Sequence, residues 1–345
     1  MFLQARSTFH RLCSSFMKIL LFEWLSGGGQ WIDESPPSLH QELRIQGEQM
    51  LKALEEDFSS LGITPILPLD SRGLYAAKSE TQVALVDSAQ ALTQQLCQLA
   101  QTADWIILIA PETEGRLARC CEWLSESQQK FLSPNERLVR LFTDKSATCQ
   151  FLTQNGIPTV DGKLLQPETA SVPIMTSDII ANLPGVLKPN DGVGGEGITW
   201  IPDQQSLVKN LNRVWANGTP KPIRFERWAP GIPASISVIS GPRGSRLLPA
   251  TRQVLADEPL GAYHENVDNL SPELRFRANQ IGKRVAAALN QARGYFGIDL
   301  ILGAKEADDV VIEINPRMTA SYPLLRTITS ENLAQAMLDL AMPLS

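Results

Sequence analysis

Acidic residues interrupt two apolar stretches near the end of the chain at matched positions. Asp299 lies in the first stretch, and Glu313 lies in the second with Asn315 two residues beyond it. If the stretches pair as a hairpin with its loop at residues 303–309, Asp299 lies opposite Glu313, and strand alternation puts Asn315 on the same face. The apolar neighbours are then expected in the core: Ile298, Leu300, Ile312 and Ile314.

This set of oxygen-bearing side chains predicts a metal site. Like charges that face each other destabilise a bare sheet, but a divalent cation between them reverses the effect. Two carboxylates and one amide oxygen suit Mg²⁺, with Mn²⁺ as an alternative, because Mg²⁺ takes water and substrate phosphates as its other ligands. Arg317, just beyond, could clamp a phosphate with two hydrogen bonds. The other interpretation is a hairpin with solvated carboxylates, which leaves the matched positions unexplained.

Composition supports oxygen ligands for any metal. The five cysteines include no C-x-x-C pair, and with only three histidines they favour neither a disulfide framework nor a Cys/His zinc site. The net charge of −6 argues against a dedicated nucleic-acid-binding protein, although it allows a local basic pocket. No apolar run approaches the ~20 residues of a membrane span. These features predict a cytoplasmic protein with small-molecule partners, without nucleic acid or membrane, and compatible with a homo-oligomer.

Glycines crowd one short segment in the middle of the chain. Four of the six residues from 192 to 197 are glycine: Gly192, Gly194, Gly195 and Gly197. The dinucleotide version of this pattern needs a helix after the loop, but the β-branched and aromatic residues at 198–201 predict a strand. Backbone N–H groups in a loop between strands can still close over phosphates, and Lys188 can place an ammonium there. The alternative is an ordinary hairpin turn, which needs fewer glycines.

The elements that position these residues fall into two parts. In the first part, apolar stretches predict strands at residues 19–22, 64–67 and 105–110, and helical spacing predicts helices at about 39–61 and 89–100. This alternation indicates a parallel sheet covered on both faces, with ligand-binding loops at 26–29 and 111–114 beyond the carboxyl ends of its strands.

The second part begins with a helical linker at residues 134–156, in which Thr143 is a plausible N-cap. Strand signals dominate after residue 157, which indicates a second, α+β domain. Helices are expected at 279–290 and at 331–341.

The separated motifs together resemble the ATP-grasp superfamily, from about residue 17 to the C-terminus. The resemblance implies an ATP-grasp fold of mixed α/β and α+β class. An N-terminal parallel-sheet domain, Rossmann-like and termed pre-ATP-grasp, is followed by two lobes that hold ATP between them. We expect an extension at residues 1–16, which is either a transit peptide or, if Met17 is the start, not translated. The N-terminal domain would then span residues 17–133. The linker and small lobe would span 134–228, and the C-terminal lobe with the metal site would span 229–345.

Carried over residue by residue, the resemblance implies a set of nucleotide contacts. Lys145 would contact ATP from the linker, and Lys188 would precede the mobile glycine-rich loop. The interlobe segment that holds the adenine would be Glu226, Arg227 and Trp228. The Mg²⁺ ligands would be Asp299, Glu313 and Asn315. One departure is that no glutamate follows the interlobe segment to bind the ribose, where Ser235 is only a weak candidate.

Short motifs occur at residues 18–23 with the glycines at 27–29, and at 110–113, 251–253 and 315–322. They resemble those of a smaller group, which contains the tyramine–glutamate ligases of methanofuran biosynthesis and bacterial relatives in one-carbon metabolism. This resemblance implies an ATP- and Mg²⁺-dependent carboxylate–amine ligase that joins glutamate to tyramine or a tyrosine-like amine through an acylphosphate. The alternatives are another amino-acid or dipeptide ligase and a non-catalytic ATP-binding protein.

The residues expected to serve catalysis are Arg317, Arg252 and Lys188, although a surface role for Arg252 is equally compatible. Glu112 could pair with an incoming ammonium or act as an acid at a helix N-terminus. A polar segment at 257–270 could form a lid, in which His264 is a less favoured general base. The remaining substrate candidates are Gly27, Gly28, Gly29, Thr319 and Ser321.

Overall fold

The computed structural model describes residues 17–34, 41–166, 177–192, 195, 197–216, 221–255, 263–266, 270–289 and 292–343. The expected extension at 1–16, Gly194 and most of the expected lid lie outside these residues. Within the described ranges, no helix has both the length and the apolar character needed to cross a membrane.

The N-terminal domain contains a four-stranded parallel sheet, as the alternating pattern predicts. Its elements in chain order are strand β1 (Lys18–Glu23), helix α1 (Gln41–Ser60), strands β2 (Thr64–Asp70) and β3 (Gln82–Val86), helix α2 (Ala89–Thr102), strand β4 (Trp105–Ile109) and helix α3 (Arg116–Trp123). The order across the sheet is β3-β2-β1-β4. Strand β3 was not expected from the sequence, because this short edge strand leaves Val83 and Leu85 largely exposed and lacks a buried alternating pattern.

The linker forms two helices, α4 (Glu136–Thr143) and α5 (Lys145–Gln154). Thr143 does not cap α5, which corrects the expectation from the sequence. The cap is Asp144, whose carboxylate accepts the hydrogen bond of Ala147 N at 2.8 Å. Thr143 instead ends α4, and its hydroxyl has no hydrogen-bond partner among the described residues. The positive end of the helix dipole also stabilises a carboxylate at this position.

The small lobe is an antiparallel sheet with its own apolar core. It consists of β5 (Gly162–Leu165), α6 (Ser177–Ala181), β6 (Gly185–Pro189), β7 (Thr199–Ile201), α7 (Gln204–Ala216) and β8 (Ile223–Arg227), with the sheet order β5-β8-β6-β7. The glycine-rich loop connects β6 to β7, so a strand does follow it, as predicted.

The C-terminal lobe is built on a larger antiparallel sheet. Its elements are β9 (Ile232–Gly241), β10 (Gly244–Leu247), β11 (Thr251–Leu255), β12 (Tyr263–Asn266), α8 (Pro272–Ala288), β13 (Gly294–Leu302), β14 (Val310–Asn315), α9 (Tyr322–Ile328) and α10 (Leu333–Ala341). The sheet order is β12-β11-β9-β13-β14, and β10 pairs with β9. Helix α8 begins seven residues earlier than expected, because Ser271 caps it and Pro272 occupies its first turn.

One apolar core joins the N-terminal domain to the C-terminal lobe. Side chains of β1 and α1 pack in the same buried cluster as residues of β9, α9 and α10. A buried polar contact lies within this interface, where Asp57 of α1 accepts hydrogen bonds from Tyr322 and Arg326 of α9 at 2.7 to 3.0 Å. These two parts therefore pack as one unit, and the cleft lies between that unit and the small lobe.

Candidate functional site

The paired strands β13 and β14 carry the two carboxylates as the sequence predicts. Asp299 lies directly opposite Glu313, and Asn315 Nδ2 donates to Asp299 Oδ2 at 3.0 Å. A β-bulge follows, because Leu300 pairs with Val311 and leaves Ile312 without a partner in the ladder.

The bulge corrects one prediction. Ile312 does not enter the core but lines the cleft, and Val311 is fully buried in its place. The other three apolar neighbours are buried as expected: Ile298, Leu300 and Ile314.

Two further polar residues hold Asp299 in place. Gln253 of β11 donates to Asp299 Oδ1 at 2.9 Å, and Ser235 of β9 also hydrogen bonds to this carboxylate. Both side chains are buried. Sequence reasoning missed Gln253, because strand alternation identifies its face only once the pairing of Thr251 with Ser235 is known. Ser235, a weak candidate for the ribose, lies beside the carboxylates instead.

The facing carboxylates titrate differently. Burial and the charge of Glu313 raise the pKa of Asp299 to about 7, although Asn315 and Ser235 donate hydrogen bonds to it. Burial would also raise the pKa of Glu313, but the positive charges of Lys145 and Lys188 outweigh it and lower that pKa to about 2. The protein thus holds the carboxylate of Glu313 ionised near pH 7, while that of Asp299 is about half protonated.

Two buried lysines form the opposite wall of the site. Lys145 at the start of α5 lies 2.9 Å from Glu313 Oε2 and donates to the carbonyl of Gly192 at 2.6 Å. Burial would lower the pKa of Lys145, but Glu313 reverses this and raises it. Lys188 of β6 lies 2.7 Å from Glu226 Oε2. The first lysine therefore connects the glycine-rich loop to the carboxylate pair, and the second anchors the interlobe segment.

A cleft between the two lobes brings these groups together. Its lining includes Gln253 and many of the predicted site residues: Lys145, Lys188, Gly192, Gly195, Glu226, Arg227, Trp228, Asp299 and Glu313. Apolar side chains such as Val186 and Ile198 form the rest. Trp228 at the mouth is 40% exposed and meets Trp200 edge to face, with ring centroids 4.8 Å apart. A mostly apolar cleft with a few convergent charges is the usual form of a cofactor site.

Arg317 connects the C-terminal lobe to the N-terminal domain. Its Nε donates to Glu112 Oε2 at 3.0 Å, and its Nη1 donates to the carbonyl of Met318 at 3.1 Å. Both Arg317 and Glu112 are largely buried. Glu112 lies just after β4, at the carboxyl edge of the parallel sheet where ligands were expected.

Arg252 is not brought to the carboxylates. It pairs with Ala234, a core residue on the face of the sheet that packs against α8, so alternation points Arg252 away from Asp299. Its neighbour Gln253 occupies the cleft face instead. The catalytic role of Arg252 stays a prediction that this register does not support.

The remaining substrate candidates make contacts within the chain. The N–H groups of Gly27 and Gly29 donate to the carbonyls of Glu23 and Trp24 in a tight turn. A Cβ on Gly29 would lie 2.3 Å from the Trp24 ring, so packing alone accounts for a glycine there.

Two further candidates, Thr319 and Ser321, hydrogen bond to each other at 2.6 Å beside the β13–β14 pair. Their substrate roles, like those of the glycines, stay predictions.

Comparisons with known proteins identify the family. Residues 142–321, more than half of the chain, match the model of an ATP-grasp domain, and residues 63–137 match that of a pre ATP-grasp 3 domain. The chain therefore belongs to the ATP-grasp family, with a pre-ATP-grasp domain before the grasp. The resemblance inferred from the motifs is confirmed at this level.

Individual relatives are distant in sequence. Biotin carboxylase 1, chloroplastic, of Populus trichocarpa is 23% identical over an alignment of 241 positions, and this alignment covers 64% of this chain and 43% of that protein. The chain thus spans less than half of this relative's length.

Solved structures extend the likeness to the whole chain. D-alanine–D-alanine ligase from Bacillus anthracis has a TM-score of 0.65 at 19% identity and covers 94% of this chain and 97% of its own. The biotin carboxylase domain of the 2-oxoglutarate carboxylase from Hydrogenobacter thermophilus, in complex with MgADP, ADP and bicarbonate, has a TM-score of 0.69 at 17% identity and covers 95% and 70%.

The donor set fits a divalent cation that ATP-grasp proteins would bring with the nucleotide. Two largely buried carboxylates face each other, and the Asn315 amide donates to Asp299 through its nitrogen, so its carbonyl oxygen is the atom that could bind a cation. Burial and the charge of Glu313 raise the pKa of Asp299, and a bound cation would offset both effects. The described residues contain no cluster of three or more Asp, Glu, His or Cys side chains that could hold a metal. Water and phosphate oxygens would therefore complete the coordination, as Mg²⁺ prefers.

Proposed function

We propose that the chain is an ATP-dependent ligase that activates a carboxylate and joins it to an amine. The observation that supports this most directly is the lining of the cleft. Two carboxylates suited to Mg²⁺ face two buried lysines, and Arg317 lies beyond the end of strand β14. No protein nucleophile is needed for such chemistry, because positioning and charge stabilisation carry phosphoryl transfer.

The residues have distinct tasks in the proposed reaction. Lys145 and Lys188 would hold phosphate oxygens of ATP, and the glycine-rich loop between β6 and β7 would close over them with its N–H groups. Asp299, Glu313 and Asn315 would hold Mg²⁺, which neutralises the β- and γ-phosphate oxygens when bound. The interlobe strand β8 and Trp228 would border the adenine.

The proposed reaction has two steps. A substrate carboxylate oxygen attacks the γ-phosphorus, and the bond to the β-phosphate oxygen breaks to give an acylphosphate and ADP. The amine nitrogen then bonds to the acyl carbon, and the carbon–oxygen bond to phosphate breaks. Starting from an ammonium, the nitrogen loses two protons, of which one ends on the departing phosphate and one in solvent. Arg317 would stabilise the anion in both steps, because its Nη2 makes no hydrogen bond within the described residues and could donate to a phosphate oxygen.

The particular substrates rest on the resemblance of short motifs. We propose glutamate as the carboxylate and tyramine or a tyrosine-like amine as the nucleophile, in the synthesis of a methanofuran-type cofactor. Another amino-acid or dipeptide ligase is the second candidate, and the structural likeness to D-alanine–D-alanine ligase favours it. Intact Lys188, Asp299, Glu313 and Arg317 argue against a non-catalytic nucleotide-binding protein.

Product mass spectrometry tests the proposal. The protein is incubated with ATP, Mg²⁺ and a panel of amino acids and amines that begins with glutamate and tyramine, and ADP release is measured in parallel. A condensation product that appears only with ATP supports the ligase. ADP release with an amide from a different pair would sink the substrate assignment but not the class. No ADP release with any pair would favour the non-catalytic alternative.

A further inference from the structure

Glu112 carries a buried oxygen that its ion pair with Arg317 does not use. The side chain is 5% exposed, and Oε2 accepts the hydrogen bond from Arg317 Nε. Oε1 is shielded from solvent and has no hydrogen-bond partner in the described part of the chain. A buried carboxylate oxygen without a donor is costly, because the solvation it loses is not replaced. Its retention therefore needs a reason.

Two roles within the chain do not account for this oxygen. Glu112 precedes the short 3-10 helix Thr113–Gly115, but its side chain makes no capping hydrogen bond to that helix. The ammonium of Lys145 is close enough to feel the charge of Glu112, yet its hydrogen bonds go to Glu313 and to the carbonyl of Gly192. If Glu112 served only to hold Arg317, the oxygen Oε2 would be enough for that contact, and Oε1 would have no role.

Glu112 lies at a position from which a side chain could contact a bound substrate. It follows a strand of the parallel sheet at the edge where ligands of such sheets bind. Its partner Arg317 is two residues beyond the proposed metal ligand Asn315. A cationic donor that reached Oε1 would therefore lie close to any phosphate or acyl group that Arg317 holds.

We propose that Glu112 binds the ammonium group of the amine substrate through Oε1 and so selects a primary amine as the nucleophile. The inference rests on the proposed ligase function and adds the residue that recognises the second substrate. A bound anion would give Arg317 a second partner, while the Glu112 carboxylate orients the amine beside it. A carboxylate at this point repels the bicarbonate anion and attracts water less than it attracts an ammonium, so the same group disfavours competing nucleophiles.

The test compares a charged amine with an uncharged nucleophile in the Glu112→Gln variant. Glutamine keeps the volume and can still accept a hydrogen bond from Arg317, but it offers no negative charge. Hydroxylamine is uncharged at neutral pH and traps an acylphosphate as a hydroxamate. Reactions contain ATP, Mg²⁺ and glutamate, with either tyramine or hydroxylamine. Glu122→Gln, which alters an exposed acid on α3, is the matched control.

The expected result is a split between the two nucleophiles. In Glu112→Gln, KM for tyramine rises about tenfold or more, while hydroxamate formation and KM for ATP stay within about twofold of the unaltered protein. An unchanged KM for tyramine would overturn the inference. If Glu112→Gln formed neither the hydroxamate nor the amide, the inference would also be overturned, since Glu112 would then act only by holding Arg317. If the unaltered protein forms no hydroxamate with any carboxylate in the panel, the proposed function fails first and the inference with it.

Discussion

The C-terminal lobe meets its two neighbours in different ways. Against the N-terminal domain it buries a continuous apolar core, with the Asp57–Tyr322–Arg326 contact inside it. The linker packs in the core of the C-terminal lobe, and it meets the small lobe through polar contacts around the cleft, such as that of Lys145 with the carbonyl of Gly192. The small lobe keeps a separate apolar core.

The apolar interface should therefore determine the stability of the protein, and the polar contacts around the cleft should determine its function. Apolar burial is worth about 25 cal/mol per Å² and cannot be exchanged for a ligand, so the first interface sets how firmly the two parts hold together. Polar contacts around a cleft can be exchanged for those of a nucleotide at little net cost. Substitutions at the first interface should therefore lower stability, and those at the cleft should lower activity.

The largest expected effect is at the cleft. Asp299→Asn should lower ADP formation by at least about a thousandfold, equivalent to about 4 kcal/mol of activation free energy, because a neutral amide holds Mg²⁺ poorly. The free energy of unfolding should change by less than about 1 kcal/mol, since the variant removes a carboxylate that repels Glu313. Steady-state ADP release and urea denaturation measure the two quantities. Activity near that of the unaltered protein would remove the metal assignment.

The next effect is at the apolar interface. Asp57→Ala should destabilise the protein by about 3 kcal/mol or more, because it leaves Arg326 and Tyr322 without their buried partner. Tyr322→Phe, which removes only one hydroxyl, should cost about 1 kcal/mol. Denaturant unfolding gives both values, and KM for ATP should stay within about twofold at temperatures where the variants are folded. A large rise in that KM with normal stability would contradict the separation.

The sequence predicted the arrangement of the two carboxylates better than it predicted the interfaces between the domains. The facing of Asp299 and Glu313 followed from strand alternation, which is a local rule. The bulge that turns Ile312 into the cleft was not visible, because it depends on how two strands of unequal length pair. Gln253 was missed for a related reason, since its face depends on a pairing with a distant strand.

The shared apolar core was not predicted either. An amphipathic helix such as α1 reveals that it buries a face, but not which partner covers that face. The family resemblance supplied the order of the domains and left these contacts open.

A smaller effect is expected on Mg²⁺ binding when the pH changes the protonation of Asp299. The folded pKa of Asp299, about 7, lies above its ordinary value of 3.8. The proton on Asp299 therefore stabilises the metal-free protein fully below pH 3.8, and this contribution is lost as the pH rises through 7. Mg²⁺ needs the ionised form, so lowering the pH from 8 to 6 should weaken its binding about tenfold, or about 1.4 kcal/mol.

Calorimetric titration with Mg²⁺ in the presence of ADP measures this dependence. The nucleotide phosphates also titrate near pH 6, so the control is Asp299→Asn, in which the part due to the protein should vanish. Equal pH dependence in both proteins would mean that Asp299 is not the proton that competes with the metal.

The smallest expected effect is at the rim between the small lobe and the N-terminal domain. Lys221 lies 3.3 Å from Glu114, and the two side chains are 60% and 53% exposed. Exposed ion pairs contribute little, because solvent screens the charges and both side chains lose freedom. Lys221→Ala should therefore change the free energy of unfolding by less than about 0.5 kcal/mol and KM for ATP by less than about twofold. A larger change that disappears in 1 M NaCl would show that charge at the rim, and not the lysines inside the cleft, holds the small lobe in place.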